Sequence, residues 1–235
     1  MIDPLVSLLA EVLAFLRTVT GSSVAAIVVL TVFIKLVLHP LTRKQLKSMK
    51  AMQALAPQLE VLRRKYREDP RQLNVEVMNL YRAHRVNPFS GCLPLVLQMP
   101  VLWALFALFR REGVFGGEQL FGVALEANLT VAMVIAHPAL ALIPVLTAVT
   151  TYVQQMMTIT DPQQQKMFLF MPVFIAWTTV AGWFPVGLSL YWILSTSLYI
   201  VEYIVVVGRP KPVGVAPPKR RRAGGSRTRA GGDDR

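Results

Sequence analysis

Thr31, Lys35 and His39 stand four residues apart. On a helix they share one face, stacked turn upon turn. The run that holds them, TVFIKLVLH, is otherwise apolar. Together they form a polar stripe on a membrane-type helix. An ammonium group in such a helix costs a few kcal/mol, so Lys35 needs a reason. The residues leave two readings open. Lys35 lies six residues before the end of the apolar run at 41, ~9 Å of helical rise, and can snorkel to the interface. Alternatively, the stripe faces a hydrated bundle interior. Other apolar stretches offer partners for such an interior: Gln98; Thr150, Thr151, Gln154 and Gln155 in TTYVQQMM; and Ser189, Trp192, Ser195, Thr196 and Glu202. No catalytic set emerges from them. There is no Gly-x-Ser-x-Gly elbow, no His-Glu metal motif and no pair of aspartates in these stretches. A serine–lysine dyad of Ser195 with Lys35 has no support in the spacing. Cys92 is the only cysteine, which excludes an intramolecular disulfide and an all-cysteine metal site. His39, His84 and His137 are too scattered for ligand spacing. The expectation is a protein that is not an enzyme and holds no metal or cofactor.

The elements that must position these groups are membrane helices. The 235-residue chain is 54% hydrophobic and 16% charged, whereas soluble domains are near half apolar and a quarter charged. The excess lies in runs long enough to cross a bilayer core, which takes roughly 20 residues. The predicted class is an all-α polytopic membrane protein with five spans, 21–41, 92–109, 138–158, 167–184 and 185–207. Residues 1–20 predict an amphipathic interfacial helix, with Asp3, Ser7 and Glu11 along one side and leucines over the rest. They lack the basic n-region of a cleavable signal peptide. Residues 110–137 read as an outer loop and 159–166 as a short cytoplasmic one.

Charge orients the chain. The net charge is +12, and its lysines and arginines cluster in 42–91 and 208–235. Both segments lie on the same side of five spans, so both are expected in the cytoplasm, with the N-terminus outside. Within 42–91 the apolar residues recur at spacings of three and four on both sides of EDPRQ. That pattern predicts an antiparallel helical hairpin. Asp69 is its N-cap, Pro70 the first helical residue and Gln72 the capping-box partner. Its cations include Lys44, Lys47, Lys50, Arg63, Arg64 and Lys65. They can be a solvated face or meet lipid headgroups or RNA. The tail, with Lys219, Arg220, Arg221 and Arg222 in KRRR, is rich in proline, glycine and arginine. It reads as a disordered segment, a topology anchor in the residues nearest the span and, from KRRR onward, either that or a polyanion contact without sequence specificity.

Four segments, in order, resemble the YidC family of membrane protein insertases, which has mitochondrial and chloroplast members. They are LHPLTRKQLKSMKAMQALAPQLEVLRRKY, LYRAHRVNPFSGCLPLVLQMPVLWALF, DPQQQKMFLFMPVF and FPVGLSLYWILS. The resemblance runs from IDPL at 2–5 to YWILS at 191–195. It implies a compact form of the family, without the large outer domain of some relatives. Its five helices would enclose a hydrophilic groove, open to the cytoplasm and to lipid and closed on the outer side. The groove would receive hydrophilic parts of nascent membrane proteins, with no nucleotide or cofactor, in the plasma membrane. By position, the family's groove cation, usually arginine, falls at Lys35, its groove threonine at Thr31, a groove glutamine at Gln154 and a groove aromatic at Trp192. Gln98 is a further lining candidate. Lysine keeps the charge but lacks arginine's planar fork. The hairpin resembles one thought to meet substrate, targeting factors or the Sec translocase. The tail resembles those that contact ribosomes, which would be the route of any RNA contact. A functional monomer is implied. The competing reading is a small-solute channel or transporter with an anion-attracting cavity. An inverted repeat or intramembrane acid pairs would mark it; the sequence offers neither, with Glu202 the one acid in a span.

Overall fold

The computed structural model describes residues 3–87, 93–158 and 170–208. Three helices are long and apolar enough to cross a membrane, Ser23–Ala54, Pro138–Thr158 and Val186–Val207, and two shorter apolar helices accompany them, Gln98–Phe109 and Met171–Val180. In chain order the helices are α1 (Asp3–Thr20), α2 (Ser23–Ala54), α3 (Ala56–Lys65), α4 (Pro70–Ala83), α5 (Leu93–Phe109), α6 (Val131–Ala136), α7 (Leu142–Thr158), α8 (Met171–Val180) and α9 (Val186–Val207). Among the described residues, Lys219 to Arg222 and the 159–166 loop have no place.

The bundle is centred on α9, which packs against α2 and α7, while α8 lies on α7. α1 docks on α2 and α5, burying Val6, Leu9 and Leu13. Leu8, Phe15 and Val19 of the same helix stay exposed. One face is therefore tied to the bundle and another is left uncovered.

α2 does not pause at residue 41, where the first span was expected to give way to the hairpin. It runs through Pro40 to Ala54, 32 residues in all, or about 48 Å against a bilayer core of ~30 Å. Nothing in 42–54 stops it. The stop comes from Pro57, which has no N–H to give the Gln53 carbonyl and begins α3 instead. Lys44, Lys47 and Lys50 are thus exposed on α2 itself, and only Arg63, Arg64 and Lys65 lie in the last turn of α3. There they complement the helix dipole. The hairpin is α3 against α4. Asp69 caps α4 as expected, accepting from the Arg71 and Gln72 amides at 3.0 Å each. Gln72 does not complete a capping box. Its Nε2 donates to Glu76 at 3.1 Å, and the Asp69 amide donates to the Tyr66 carbonyl.

The segment expected as an outer loop is built. Strands β1 (Gln119–Leu120) and β2 (Val123–Ala124) pair around Phe121 and Gly122, whose φ values of 52° and 83° make the two-residue turn. β3 (Asn128–Thr130) pairs antiparallel with β4 (Ala181–Pro185). The fourth span, expected as helix over 167–184, therefore ends its helix at Val180. Gly182, at φ 78°, turns the backbone out of the helix and Pro185 starts α9. Phe115, Val123, Leu125 and Leu129 are buried in one cluster with Leu105, Leu108, Val186 and Leu188. Gly187 allows the closeness. Its amide donates to the Leu125 carbonyl at 2.8 Å, and a Cβ there would lie 3.0 Å from the Phe115 ring.

Glu118 clamps this cap to the first span. Its carboxylate accepts from the Ser22 hydroxyl at 2.8 Å, from the Ser23 amide and from the Val24 amide at 3.5 Å. It supplies a negative charge where the N-terminal amides of α2 lack partners. Desolvation works to raise this carboxyl's pKa, but the hydrogen bonds from Ser23, Ser22 and Val24 outweigh it and hold it below the ordinary range. A depressed carboxyl stabilises the fold above its unfolded pKa and loses that contribution as pH falls through the folded value. Glu118→Gln is expected to lower the melting temperature in detergent at pH 7, by a cap-sized ~1 kcal/mol or less. The difference from the parent should shrink as pH falls through the folded pKa, below the ordinary carboxylate range. A gap of constant size at acid pH would show that charge is not what clamps.

Candidate functional site

Four helices, α2, α5, α7 and α9, bring polar side chains to one interior cavity of about 290 Å³, open on one side. α2 contributes Lys35 and α5 contributes Gln98. α7 contributes Thr151, Gln154, Gln155 and Thr158; α9 contributes Tyr191, Trp192, Ser195, Thr196 and Tyr199. Met171 and Ile175 of α8 supply an apolar side.

The α9 residues arrive there by spacing. Tyr191, Ser195 and Tyr199 recur every four residues, with Trp192 and Thr196 alongside. That places them on one broad face. The same logic sets Thr151, Gln154, Gln155 and Thr158 along α7. Facing side chains then hold one another. The Trp192 indole N–H donates to Thr151 Oγ1 at 3.2 Å. Gln98 Nε2 donates to the Tyr191 hydroxyl. Lys35 extends its ammonium over the Tyr199 ring, 5.8 Å from the centroid, a cation–π contact that is stronger away from water. These contacts fix the walls while leaving Gln154 and Gln155 edges to the open space.

Of the residues singled out from sequence, Lys35, Gln98, Gln154 and Trp192 come together. Both candidate glutamines of α7 line the space, so the choice between Gln154 and Gln155 dissolves. Thr31 does not line it. Its side chain is fully buried and its hydroxyl donates to the Ile27 carbonyl at 2.6 Å. His39 also leaves the stripe. Its Nδ1 meets Glu202 Oε1 of α9 at 2.6 Å, with the His39 side chain 48% exposed and that of Glu202 11%. Tyr191 and Tyr199 were not anticipated, although their four-residue spacing through Ser195 was a readable signal.

Below the cavity, the C-terminal part of α2 is locked to α7 and α9. Gln53 Nε2 donates to the Met157 carbonyl at 3.0 Å and to the Tyr203 hydroxyl at 2.9 Å. The Tyr199 hydroxyl points at Met49 Sδ, 3.8 Å away. The helix that leads to the hairpin is thereby anchored to the same two helices that form most of the cavity wall. Among the described residues, no three histidine, cysteine or acidic side chains converge as metal ligands.

Taken as a class, this is a polytopic helical membrane protein with a half-open polar cavity that holds one lysine. The family model for the 60Kd inner membrane protein matches residues 15–211, and the chain belongs to that family. It is 34% identical over 203 residues to a membrane protein insertase YidC of Caldanaerobacter subterraneus subsp. tengcongensis, covering 86% of this chain and 94% of that one. It is 35% identical over 208 residues to a membrane protein insertase YidC of Fusobacterium nucleatum subsp. nucleatum, covering 86% and 96%. A solved structure described as an active YidC insertase, with its first transmembrane domain resolved, superposes with a TM-score of 0.67 at 29% identity. That likeness covers 85% of this chain and 45% of the other.

Proposed function

We propose that this chain is a membrane protein insertase and chaperone that works through the Lys35 cavity. The observation that carries the reading is the cavity itself: uncharged hydrogen-bonding groups and one cation, gathered inside a bundle of apolar helices. A peptide polar group left without a partner in hydrocarbon costs several kcal/mol. Glutamine, threonine and serine side chains supply temporary partners for it. The lysine attracts an acidic translocated segment. Once that segment has crossed, the apolar span of the substrate moves to lipid, driven by its own hydrophobicity. The cycle uses no nucleotide and no covalent intermediate.

In this reading the hairpin end faces the cytoplasm, as its lysines and arginines demand, and the membrane is the plasma membrane. Nascent membrane proteins are the substrates. Lys44, Lys47, Lys50, Arg64 and Lys65, with the half-buried Arg63, present a basic surface to an incoming partner, which the Sec translocase or a ribosome would provide. Lys219, Arg220, Arg221 and Arg222 add a polyanion contact on the same side. The chain acts as a monomer.

Reconstitution tests this directly. A short single-span substrate with an acidic leading segment is synthesised beside protein-free liposomes, or liposomes holding only this chain. Protease protection of the leading segment should rise well above the empty-liposome background without added ATP beyond what synthesis consumes. Protection at background level, with the chain correctly incorporated, rules the reading out.

A further inference from the structure

A second cavity, of about 480 Å³, opens at the end of the bundle away from the hairpin. The insertion path described above does not use it. Its walls come from two elements: Trp103, Phe106 and Arg110 at the end of α5, and Gly182, Trp183 and Phe184 of β4. The crevice exists because α8 stops at Val180 and the chain continues as a strand. An extended strand is thinner than the helix it replaces, so a gap is left beside α5. Phe106 and Phe184 meet edge to face at 6.1 Å and form its apolar floor.

The rim has the chemistry of a membrane–water boundary. Trp103 and Trp183 are 57% and 54% exposed. Trp183 continues into Trp177 at 5.5 Å and Phe174 at 6.2 Å, an aromatic ladder down the outside of the bundle. Tryptophan is favoured at that depth because one end of its ring is apolar and the other can meet water. Arg110 completes the set. It follows the last residue of α5, and its guanidinium carbon lies 4.9 Å from the centre of the Phe106 ring. Among the described residues no carboxylate pairs with it. Stacking holds the guanidinium at the mouth with its donors free for an oxyanion, and arginine matches a phosphate in a bidentate manner.

An aromatic belt alone explains exposed tryptophans, but not a concave apolar crevice with a stacked arginine at its mouth that no carboxylate among the described residues pairs. A free phosphate would have no use for the crevice, and a hydrocarbon chain none for the arginine. We infer that this crevice is a binding site for one glycerophospholipid, its phosphodiester on Arg110 and one acyl chain between Trp103 and Trp183 over Phe106 and Phe184. The volume is within the ~300–1,000 Å³ typical of small-ligand sites. The bound lipid fills the gap between α5 and β4 and ties them together. The inference rests on the chain lying in a bilayer, not on its insertase activity.

Native mass spectrometry of the purified full-length chain tests it. The delipidated protein in detergent is titrated with phosphatidylglycerol, with diacylglycerol of the same chains, and with glycerol 3-phosphate. One phosphatidylglycerol should be retained at least tenfold better than either of the others. Arg110→Gln should abolish that preference, Arg110→Lys should keep most of it, and Trp103→Ala should weaken retention of the lipid. Arg110 is exposed, so the lipid-free melting temperatures of the arginine variants should match the parent. Equal retention of diacylglycerol, equal binding of glycerol 3-phosphate, or an unchanged preference in Arg110→Gln would each overturn the site. None of these readouts involves substrate insertion, so the result is independent of the insertase assay.

Discussion

Lys35→Glu is expected to bring insertion of a substrate with an acidic leading segment down to the empty-liposome level. Lys35→Arg should retain activity close to the parent, because it keeps the charge and can stack on the Tyr199 ring at which Lys35 already points. Lys35→Met removes the charge while keeping length and apolar stem, and should cost roughly tenfold, equivalent to about 1.4 kcal/mol. That loss is below the ~4 kcal/mol of two unit charges at 4 Å in an effective dielectric of 20, since the cavity is open on one side. In Lys35→Glu the same term changes sign and becomes repulsion. A substrate whose leading segment is uncharged should separate the effects, with Met and Arg variants inserting it equally. The measurement is protease protection in liposomes matched for protein content. Equal protection by all variants with the acidic substrate would mean that Lys35 only snorkels. Lys35→Met also guards against a trivial outcome, because it leaves the packing around α2 filled.

The helices, their order and most of the cavity were readable from apolar runs and from spacing. Lys35, Gln98, Gln154 and Trp192 were each conspicuous as polar or amphipathic residues in apolar surroundings, where burial without a partner is costly. Thr31 was misplaced for a geometric reason. Four residues turn a helix by about 400°, so each step of a four-residue stripe drifts about 40°. Over Thr31, Lys35 and His39 the stripe sweeps from the core, through the cavity, to an exposed position facing Glu202. A threonine can satisfy itself on the preceding turn, as Thr31 does with Ile27, so its polarity carries no obligation to meet water. Tyr191 and Tyr199 were missed because tyrosine in an apolar run looks like ordinary core. The β3–β4 pairing had no periodic signal, since strands this short show no alternation. Gly182 and Pro185, five residues from end to end with Ala181, were the local clue that the helix stops early. The continuity of α2 past 41 was hidden by composition: the chain changes from apolar to basic there, but the helix runs through Pro40 and stops only before Pro57.

His39→Ala is expected to impair insertion several-fold, although His39 does not line the cavity. The reason is Glu202. Lys35 and His39 are one turn apart on α2, and Tyr199 and Glu202 are one turn apart on α9. The two helices therefore face each other through two successive contacts, Lys35 on Tyr199 and His39 on Glu202 at 2.6 Å. Glu202 is the only acid in these helices and its side chain is nearly buried, at 11% exposure. A carboxylate so placed needs a partner. With His39 removed, Lys35, one turn earlier on the same helix, is a cation open to pairing with it. Pairing with it would neutralise the charge that the cavity offers to substrate and would draw the lysine out of the open space. Glu202→Gln removes the competitor, so by itself it should leave insertion near the parent level. In combination, His39→Ala with Glu202→Gln should recover most of the activity lost in His39→Ala alone. That rescue is the decisive readout, because a merely structural role for the His39–Glu202 contact predicts the opposite order: either single change breaks the contact, and the double variant can do no better than the worse of the two. A double variant as impaired as His39→Ala, measured at equal incorporation and with an acidic leading segment, would show that Glu202 does not compete for Lys35.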